Sequence, residues 1–183
     1  YKRFIAGKGF TFLKSMADTQ VAQFFIQKTS ENKDALMTDA EFRQILSGYQ
    51  GWQDRKVAKA TVIALEHRFF HWFLEFPEVF NEGGFDCILG NPPFLGGLRI
   101  SMNCGSDYLT CIQYQFPLCR GTCDLVAYFF RRNFQVINKD AFCSLISTNT
   151  ISQGDTREGS LDVIIQNNGR INFAVKSQHW PGK

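Results

Sequence analysis

The chain has 183 residues, of which 44% are hydrophobic and 15% aromatic, with 19 phenylalanines and a formal net charge of +3. This length fits one domain or part of one. No run of 18 apolar residues exists, so the sequence does not support a transmembrane helix, and the charge is too small to indicate nucleic-acid binding by itself. Because the chain opens on Tyr1, with neither an initiator methionine nor the apolar core of a signal peptide, we expect a piece of a longer protein.

The first 82 residues predict a helical segment. Apolar residues recur at helical spacing over residues 12–28. Thr38-Asp39-Ala40-Glu41 has the pattern of a capping box and predicts a second helix, with Phe42, Ile45 and Leu46 on one face. A third apolar stripe, over residues 54–75, predicts a long helix that ends at Pro77.

From residue 83 the pattern changes to that of an α/β domain. Phe85–Leu89 is a short apolar run between Gly-Gly and Asn-Pro, which predicts a fully buried strand. Residues 95–122 contain four glycines and few periodic apolar positions, so they predict a loop. Asp124 predicts the cap of a helix that runs to about residue 137. The residues predicted to face inward on this helix are Leu125, Phe129, Phe134 and Ile137.

The remaining elements complete the pattern. Ala141–Ile146 predicts a second buried strand, which polar residues follow, and residues 157–166 and 171–175 predict a helix and a third strand. Alternating strands and helices indicate a doubly wound α/β sheet, incomplete with three strands, over residues 83–183. Ligands of such sheets bind beyond the carboxyl ends of the strands. Asn91 and the pair Thr148–Asn149 are therefore expected on the same functional edge.

Asn91-Pro92-Pro93-Phe94 directly follows the first predicted strand. The two prolines fix φ and remove two backbone donors, so the turn is stiff and its carbonyls face outward. Such a turn can accept both hydrogens of an exocyclic amine, through the Asn91 side-chain oxygen and the Pro92 carbonyl, while the Phe94 ring stacks on the heterocycle. The alternative is an ordinary strand-to-turn transition that two prolines stop.

Gly90–Phe94 resembles the catalytic motif of amino-group DNA methyltransferases, which make N6-methyladenine from S-adenosylmethionine. Three further segments resemble their counterparts in the large methylases of bacterial restriction-modification and phage-defence systems, and the likeness covers most of residues 15–183. These segments are Phe69–Phe80, Asp124–Phe130 and Ser147–Glu158.

The resemblance implies a fold, a reaction and a set of site residues. The fold would be a partial Rossmann-like S-adenosylmethionine-dependent methyltransferase domain with a helical N-terminal segment. The catalytic residues would be Asn91, Pro92, Pro93 and Phe94. The partner would be double-stranded DNA whose target adenine is flipped out of the stack, against Phe94, Thr148 and Asn149.

The chain departs from the family pattern at the loop that binds the cofactor. S-adenosylmethionine is normally held by a glycine-rich turn after the first strand of the sheet. Phe4–Phe10 contains two glycines, but no convincing strand precedes it and no acidic residue follows at the expected distance. We therefore expect the cofactor loop and the target-recognition domain in the remainder of a parent chain, a fragment that is inactive alone, and Asn91 as a possible cofactor contact.

Two other readings of the same motif stay open. The Asn-Pro-Pro-aromatic turn can also serve methylation of planar amino groups in RNA or of a protein glutamine amide. Alternatively, the fold can be kept as a non-catalytic binding module. Neither composition nor spacing decides between these and DNA methylation.

The six cysteines invite a zinc or disulfide interpretation. Cys119 and Cys123 are separated by three residues, so the usual Cys-x2-Cys pairs are absent. His67 and His71 are four apart, but aromatic residues surround them and no metalloprotease glutamate accompanies them. We expect no metal, and reduced thiols in a cytoplasmic protein.

Overall fold

The structure, a computed structural model, describes residues 7–48, 51 and 54–178. These residues form two compact units, one up to Glu78 and one from Val79 onward. Helices and a small parallel sheet together make a mixed α/β architecture, as the sequence predicts. The predicted domain boundary between residues 82 and 83 stays a prediction.

The first unit is helical. The longest helix in the described part of the chain has 15 residues, fewer than the roughly 20 that a bilayer requires, and no described helix qualifies as a membrane span. The first helix begins and ends earlier than the predicted range 12–28. The elements are α1 (Lys8–Ala22), a 3-10 helix (Ser30–Ala35), α2 (Asp39–Leu46), α3 (Arg55–Glu66) and α4 (Trp72–Glu75), with α5 (Pro77–Asn81) at the boundary between the units.

The predicted capping box at the start of α2 is confirmed. The Thr38 hydroxyl accepts a hydrogen bond from the Glu41 amide at 3.3 Å, and the Glu41 carboxylate accepts one from the Thr38 amide at 2.8 Å. The Glu41 carboxylate also lies 2.6 Å from the Lys56 ammonium of α3. The hydrogen bonds from Lys56 and Thr38 lower the pKa of Glu41 to about 2. The cap thus also connects α2 to α3.

The predicted long helix over residues 54–75 is wrong. Helix α3 ends at Glu66, because Arg68 adopts a φ of 53°, which a right-handed helix does not accept. The His67 ring packs 4.3 Å from that of Phe25, whereas His71 places Nε2 2.8 Å from the Asp18 carboxylate. The two histidines therefore have separate packing roles and do not share a helix face.

The second unit is built around a two-stranded parallel sheet. Gly90, at the end of one strand, pairs with Leu145, at the end of the other, and an irregularity lies near Phe85. The elements are β1 (Phe85–Gly90), α6 (Gly97–Cys104), α7 (Ser106–Gln115), α8 (Leu125–Val136), β2 (Ile137–Leu145), a 3-10 helix (Asn149–Ser152), α9 (Gly154–Gly159) and α10 (Leu161–Gln166).

The predicted loop over residues 95–122 is wrong, because it contains α6 and α7. Gly97 signals close packing: a Cβ at this position would lie 2.6 Å from the carbonyl carbon of Thr122. Ile100, one turn further along α6, is fully buried. It belongs to the core of this unit, whose other buried members are Ile112, Phe116, Cys119, Cys123, Ala127 and Tyr128.

The predicted burial of the two strands is also wrong. Leu89 is 76% exposed and Phe142 is 63% exposed. Within the described residues the sheet has only two strands, so much of the surface of these strands is left uncovered. Residues 171–175 form no strand; their backbone is irregular, and Phe173 is 84% exposed.

The helices around β2 differ from the predictions in detail. Helix α8 ends at Val136, and Ile137 already belongs to β2, which begins before the predicted Ala141. Phe129 faces outward rather than inward, while its neighbour Tyr128 is buried. The single helix predicted over residues 157–166 is divided at Ser160, whose φ and ψ are −123° and −82°.

Candidate functional site

The two parallel strands bring their carboxyl ends together. The Ile146 amide donates a hydrogen bond to the Gly90 carbonyl at 3.0 Å, one residue beyond the last β-pair. The connections that leave β1 and β2 therefore start side by side, with Asn91 next to Gly90 and Ser147 next to Ile146. The sequence-based prediction of a shared edge agrees with this geometry.

The turn after β1 leaves three of its four residues exposed. Asn91, Pro93 and Phe94 are exposed, with 54% of Phe94 accessible, whereas Pro92 is buried and anchors the turn. The Asn91 side chain and the Phe94 ring are thus exposed at the end of the strand, and neither the Asn91 amide oxygen nor the Pro92 carbonyl accepts a hydrogen bond from a described residue. Two acceptors and one ring are the set that a flat amino-substituted heterocycle requires.

The turn after β2 supplies the second side of the edge. Thr148 is half-buried, and its hydroxyl lies 2.6 Å from that of Thr150. Asn149 is exposed and is the first residue of a 3-10 helix. The Asn149 carbonyl accepts a hydrogen bond from the Ser152 hydroxyl at 2.9 Å. The structure therefore places Thr148 and Asn149 at the end of the strand adjacent to that of Asn91.

Asp124 connects the two turns, a role that the sequence reasoning did not find. It occupies the N-cap position of α8, yet its carboxylate does not cap that helix. The carboxylate instead accepts a hydrogen bond from the Thr150 hydroxyl at 2.5 Å, and the Asp124 amide donates to the Thr156 hydroxyl at 3.1 Å. The next residue, Leu125, donates its amide to the Leu95 carbonyl at 2.9 Å. The polar residues Ser147–Thr150 after β2 were the sequence signal that a hydroxyl group could bind the Asp124 carboxylate.

A second carboxylate fastens the neighbouring loop. The Asp155 carboxylate accepts hydrogen bonds from the amide and the hydroxyl of Thr122, at 3.0 and 3.2 Å. Cys123, between Thr122 and Asp124, is buried, and its pKa is raised by its hydrogen bond to the Cys119 thiol, by burial and by the carboxylates of Asp124 and Asp155. The Cys123 thiol is therefore held in its neutral form.

The cysteines and histidines form no metal centre in the part of the chain that is described, where no group of three or more ligating side chains is arranged around a common point. All six cysteines are free thiols. The Cys119 thiol donates to the Gly159 carbonyl at 3.1 Å, which is a packing contact.

A cavity of about 320 Å³ lies on the second unit but does not include the turn after β1. Its lining mixes three carboxylates with one guanidinium, so it does not match a neutral purine. The residues are Leu118, Arg120, Asp155, Glu158, Asp162 and Gln166. The turn at Asn91 is instead an open edge of the sheet, and its unoccupied acceptors make it the better candidate for chemistry.

The described residues of the glycine-containing segment near Gly7 do not form the cofactor loop of the family. Phe4–Ala6, the first half of the glycine-containing segment, lie outside the described residues. Gly7 is the N-cap of α1, and Lys8–Phe10 are already helical. The described half of the segment is therefore the start of a helix.

Comparison with protein-family models matches residues 12–178 to the Eco57I restriction-modification methylase. Comparisons with curated proteins and with solved structures give no match. The matched range covers most of the chain and includes both strands and the Asn91–Phe94 turn. The resemblance to restriction-modification methylases is thereby confirmed at the level of the family. The chain belongs to the Eco57I restriction-modification methylase family.

Proposed function

We propose that this protein transfers a methyl group from S-adenosylmethionine to the N6 amino group of adenine in duplex DNA, within a restriction-modification or phage-defence system. Membership of a restriction-modification methylase family supports the reaction class. The observation that carries the choice of substrate is the Asn91-Pro92-Pro93-Phe94 turn at the carboxyl end of a parallel strand, which is exposed except at Pro92. Its two oxygen acceptors receive no hydrogen bond from the described residues.

The proposed task of Asn91 and Pro92 is to prepare a weak nucleophile. The lone pair of adenine N6 is delocalised into the ring, so the nitrogen has to become more tetrahedral before it can attack. Hydrogen bonds from both amino hydrogens to the Asn91 side-chain oxygen and the Pro92 carbonyl favour that change. The effect is electrostatic and geometric, of the kind that stabilises developing charge in a transition state. A strong base is not required.

The remaining residues hold the base. Phe94 stacks on the adenine ring after the nucleotide is rotated out of the duplex, which costs a few kcal/mol of unstacking. Thr148 and Asn149 border the base from the adjacent strand end. When bound, S-adenosylmethionine supplies an electrophilic methyl group, and Asn91 is its proposed contact in this chain.

The proposal also covers the cellular location of the protein and the further parts of the intact protein. We place the protein in the cytoplasm, where DNA is accessible in bacteria and where free thiols persist, as all six cysteines do here. A Rossmann-like sheet, a cofactor loop and a target-recognition domain are proposed for the intact protein.

The test is methyl transfer by the intact protein from a methyl-tritiated cofactor to duplex DNA, to RNA and to glutamine-containing peptides in parallel. The proposal predicts label in duplex DNA, recovered as N6-methyl-2′-deoxyadenosine after digestion to nucleosides. Label in RNA or peptide alone would establish one of the other substrates. Absence of transfer and of calorimetric cofactor binding would indicate a non-catalytic module.

A further inference from the structure

One side of helix α6 packs in the core of the second unit, and the other side is exposed. Gly97 and Ile100 are buried, and Ser101 and Cys104, on the same side of the helix, are half-buried. With 3.6 residues per turn, the four remaining residues of the helix share the opposite side, and all four are exposed. These residues, the open face of α6, are Leu98, Arg99, Met102 and Asn103.

The open face combines apolar surface with a positive charge. Leu98 is 73% exposed and Met102, one turn further along, is 83% exposed. Arg99 forms no ion pair with a described residue, and the sequence of α6 contains no carboxylate. This composition complements duplex DNA, because a guanidinium binds backbone phosphate and aliphatic side chains lie against the flat faces of bases.

The open face begins directly after the candidate catalytic turn. Leu98 follows Phe94 by four residues, which span at most about 14 Å of chain. The major groove of DNA is about 12 Å wide, so one duplex can contact both residues. The start of α6 is also fixed in place, because Gly97 lies against the backbone of Thr122 and Cys123.

The proposed reaction creates a gap that such a face can fill. A base that is rotated out of the duplex leaves an empty place in the stack, and the lost stacking favours its return. Proteins that distort DNA insert aliphatic or aromatic side chains between base steps. A side chain in the gap stabilises the extruded base, because apolar surface of the side chain and of the neighbouring bases is removed from water.

We propose that the open face of α6 binds the duplex beside the target adenine, with Leu98 in the gap that the rotated base leaves and Arg99 on a flanking phosphate. The inference rests on the proposed function, and it adds the contact that holds the base outside the stack. Leu98 is a positioning residue, since it acts on the DNA around the base and does not touch the reacting amine.

The experiment measures methyl transfer by the intact protein to two duplexes that carry the site methylated by the wild type. In one, the target adenine pairs with thymine; in the other, it lies opposite an abasic site and leaves the stack easily. Leu98→Ala should lower kcat/KM about tenfold on the paired duplex and stay within about twofold of the wild type on the abasic one. Leu98→Met, which keeps an aliphatic side chain, should retain activity on both.

The matched control for Leu98 is Leu65→Ala, because Leu65 is also 73% exposed but lies on α3 of the first unit. This variant should transfer like the wild type on both duplexes. A separate reading uses 2-aminopurine at the target position, whose fluorescence rises when the base leaves the stack. The rise on binding should be smaller for Leu98→Ala than for the wild type and for Leu65→Ala.

The charge of Arg99 has its own measurement. Arg99→Ala should reduce by about 0.9 the slope of log Kd against log salt concentration for the paired duplex, as expected for loss of one phosphate contact. Arg55→Ala, at an exposed arginine of α3, is the control and should leave the slope unchanged. An unchanged slope for Arg99→Ala would overturn the phosphate contact.

The outcomes separate this inference from the proposed function. If the wild type transfers no methyl group to DNA, the proposed function fails and the inference fails with it. If the wild type is active and Leu98→Ala is equally active on the paired duplex, only the inference is overturned. A second copy of the chain, or another part of the intact protein, is the other possible occupant of the open face. Either would make the loss equal on the two duplexes, and that result would also overturn the inference.

Discussion

The Leu95 carbonyl accepts a hydrogen bond from the Leu125 amide at 2.9 Å, which attaches the end of the Asn91–Phe94 turn to the start of α8. Two residues later, Gly97 packs so closely on the backbone of Thr122 and Cys123 that no side chain fits between them. The candidate catalytic turn is therefore held at both ends, by β1 before it and by these backbone contacts after it. Contacts within the second unit therefore fix the position of this turn.

The close approach at Gly97 predicts a loss of stability on substitution. A Cβ at this position would lie 2.6 Å from the Thr122 carbonyl carbon and 2.7 Å from the Cys123 carbonyl oxygen, and backbone atoms cannot move aside cheaply. Gly97→Ala should lower the free energy of unfolding by about 1–3 kcal/mol, as overpacking does. Urea unfolding followed by circular dichroism measures the change.

Gly9 is the matched control, because it lies in the first turn of α1 with no atom near its added Cβ. Gly9→Ala should raise the free energy of unfolding by about 0.5–1 kcal/mol, through the lower entropy of the unfolded chain. If both substitutions changed stability with the same sign, the packing described at Gly97 would be wrong.

The buried carboxylate of Asp18 predicts a pH-dependent contribution to the stability of the first unit. Burial raises the pKa of Asp18, but hydrogen bonds from His71 at 2.8 Å and Lys14 at 2.9 Å outweigh it, so the pKa is below its usual value. A depressed pKa stabilises the folded state above the unfolded value of about 3.9, and the stabilisation is lost as pH falls below it.

Asp18→Asn should therefore cost about 1.5–3 kcal/mol at pH 7, the range for hydrogen bonds to charged groups. The difference from the wild type should shrink as the pH is lowered through 4 to 3. Asp34→Asn, at an exposed position, is the control and should change little at either pH. A constant difference between pH 7 and pH 3 would contradict a role for the ionised carboxylate.

Thiol accessibility provides a prediction that requires no activity. Cys87 is exposed on β1, whereas Cys119 and Cys123 are almost completely buried, at 0% and 1% accessibility. In native protein, iodoacetamide should modify Cys87 well before the other two, because alkylation requires access to the sulfur. Peptide mass spectrometry of a time course, with a denatured sample as control, reads the order. Equal rates at Cys87 and Cys119 would rule out the core described for the second unit.

The exposed ring of Phe94 leads us to expect that its removal weakens the binding of a flipped base. Its ring is 54% exposed beside Asn91, so truncation removes little burial from the folded protein. Phe94→Ala should weaken binding to duplex DNA with an unpaired target adenine by about 1–3 kcal/mol, the range for base–aromatic stacking. Phe94→Trp should retain binding, and Phe173→Ala, at another exposed phenylalanine, should leave it unchanged. Fluorescence anisotropy with labelled duplexes measures all three, and equal affinity of Phe94→Ala and wild type would exclude the stacking role.

Short-range signals made part of the fold predictable. The capping box needs only Thr38 and Glu41, three residues apart, and it formed as expected. The strand before Asn91 is bounded by glycines and prolines, and its extent is nearly correct. The alternation of strand, helix and strand predicted parallel pairing, which brings the ends of β1 and β2 together.

Features that depend on distant residues were not predictable. Gly97 reads locally as a loop residue, and only its contact with Thr122 shows that it begins a packed helix. Likewise, Asp124 reads as a helix cap, but its carboxylate finds a partner 26 residues away in Thr150. The burial of a strand depends on what covers it, and an apolar residue such as Leu89 does not report that by itself.

The central claim is that the Asn91 amide oxygen accepts a hydrogen from the target amine, and the most direct measurement is methyl transfer to adenine in duplex DNA by the intact Asn91→Ala protein. Asn91 is exposed and unbonded within the described structure, so its loss should leave the thermal unfolding midpoint unchanged while kcat falls by at least about 100-fold, as for removal of one transition-state contact. Asn172→Ala, also at an exposed asparagine, should keep full activity. Transfer by Asn91→Ala at the wild-type rate would contradict the account.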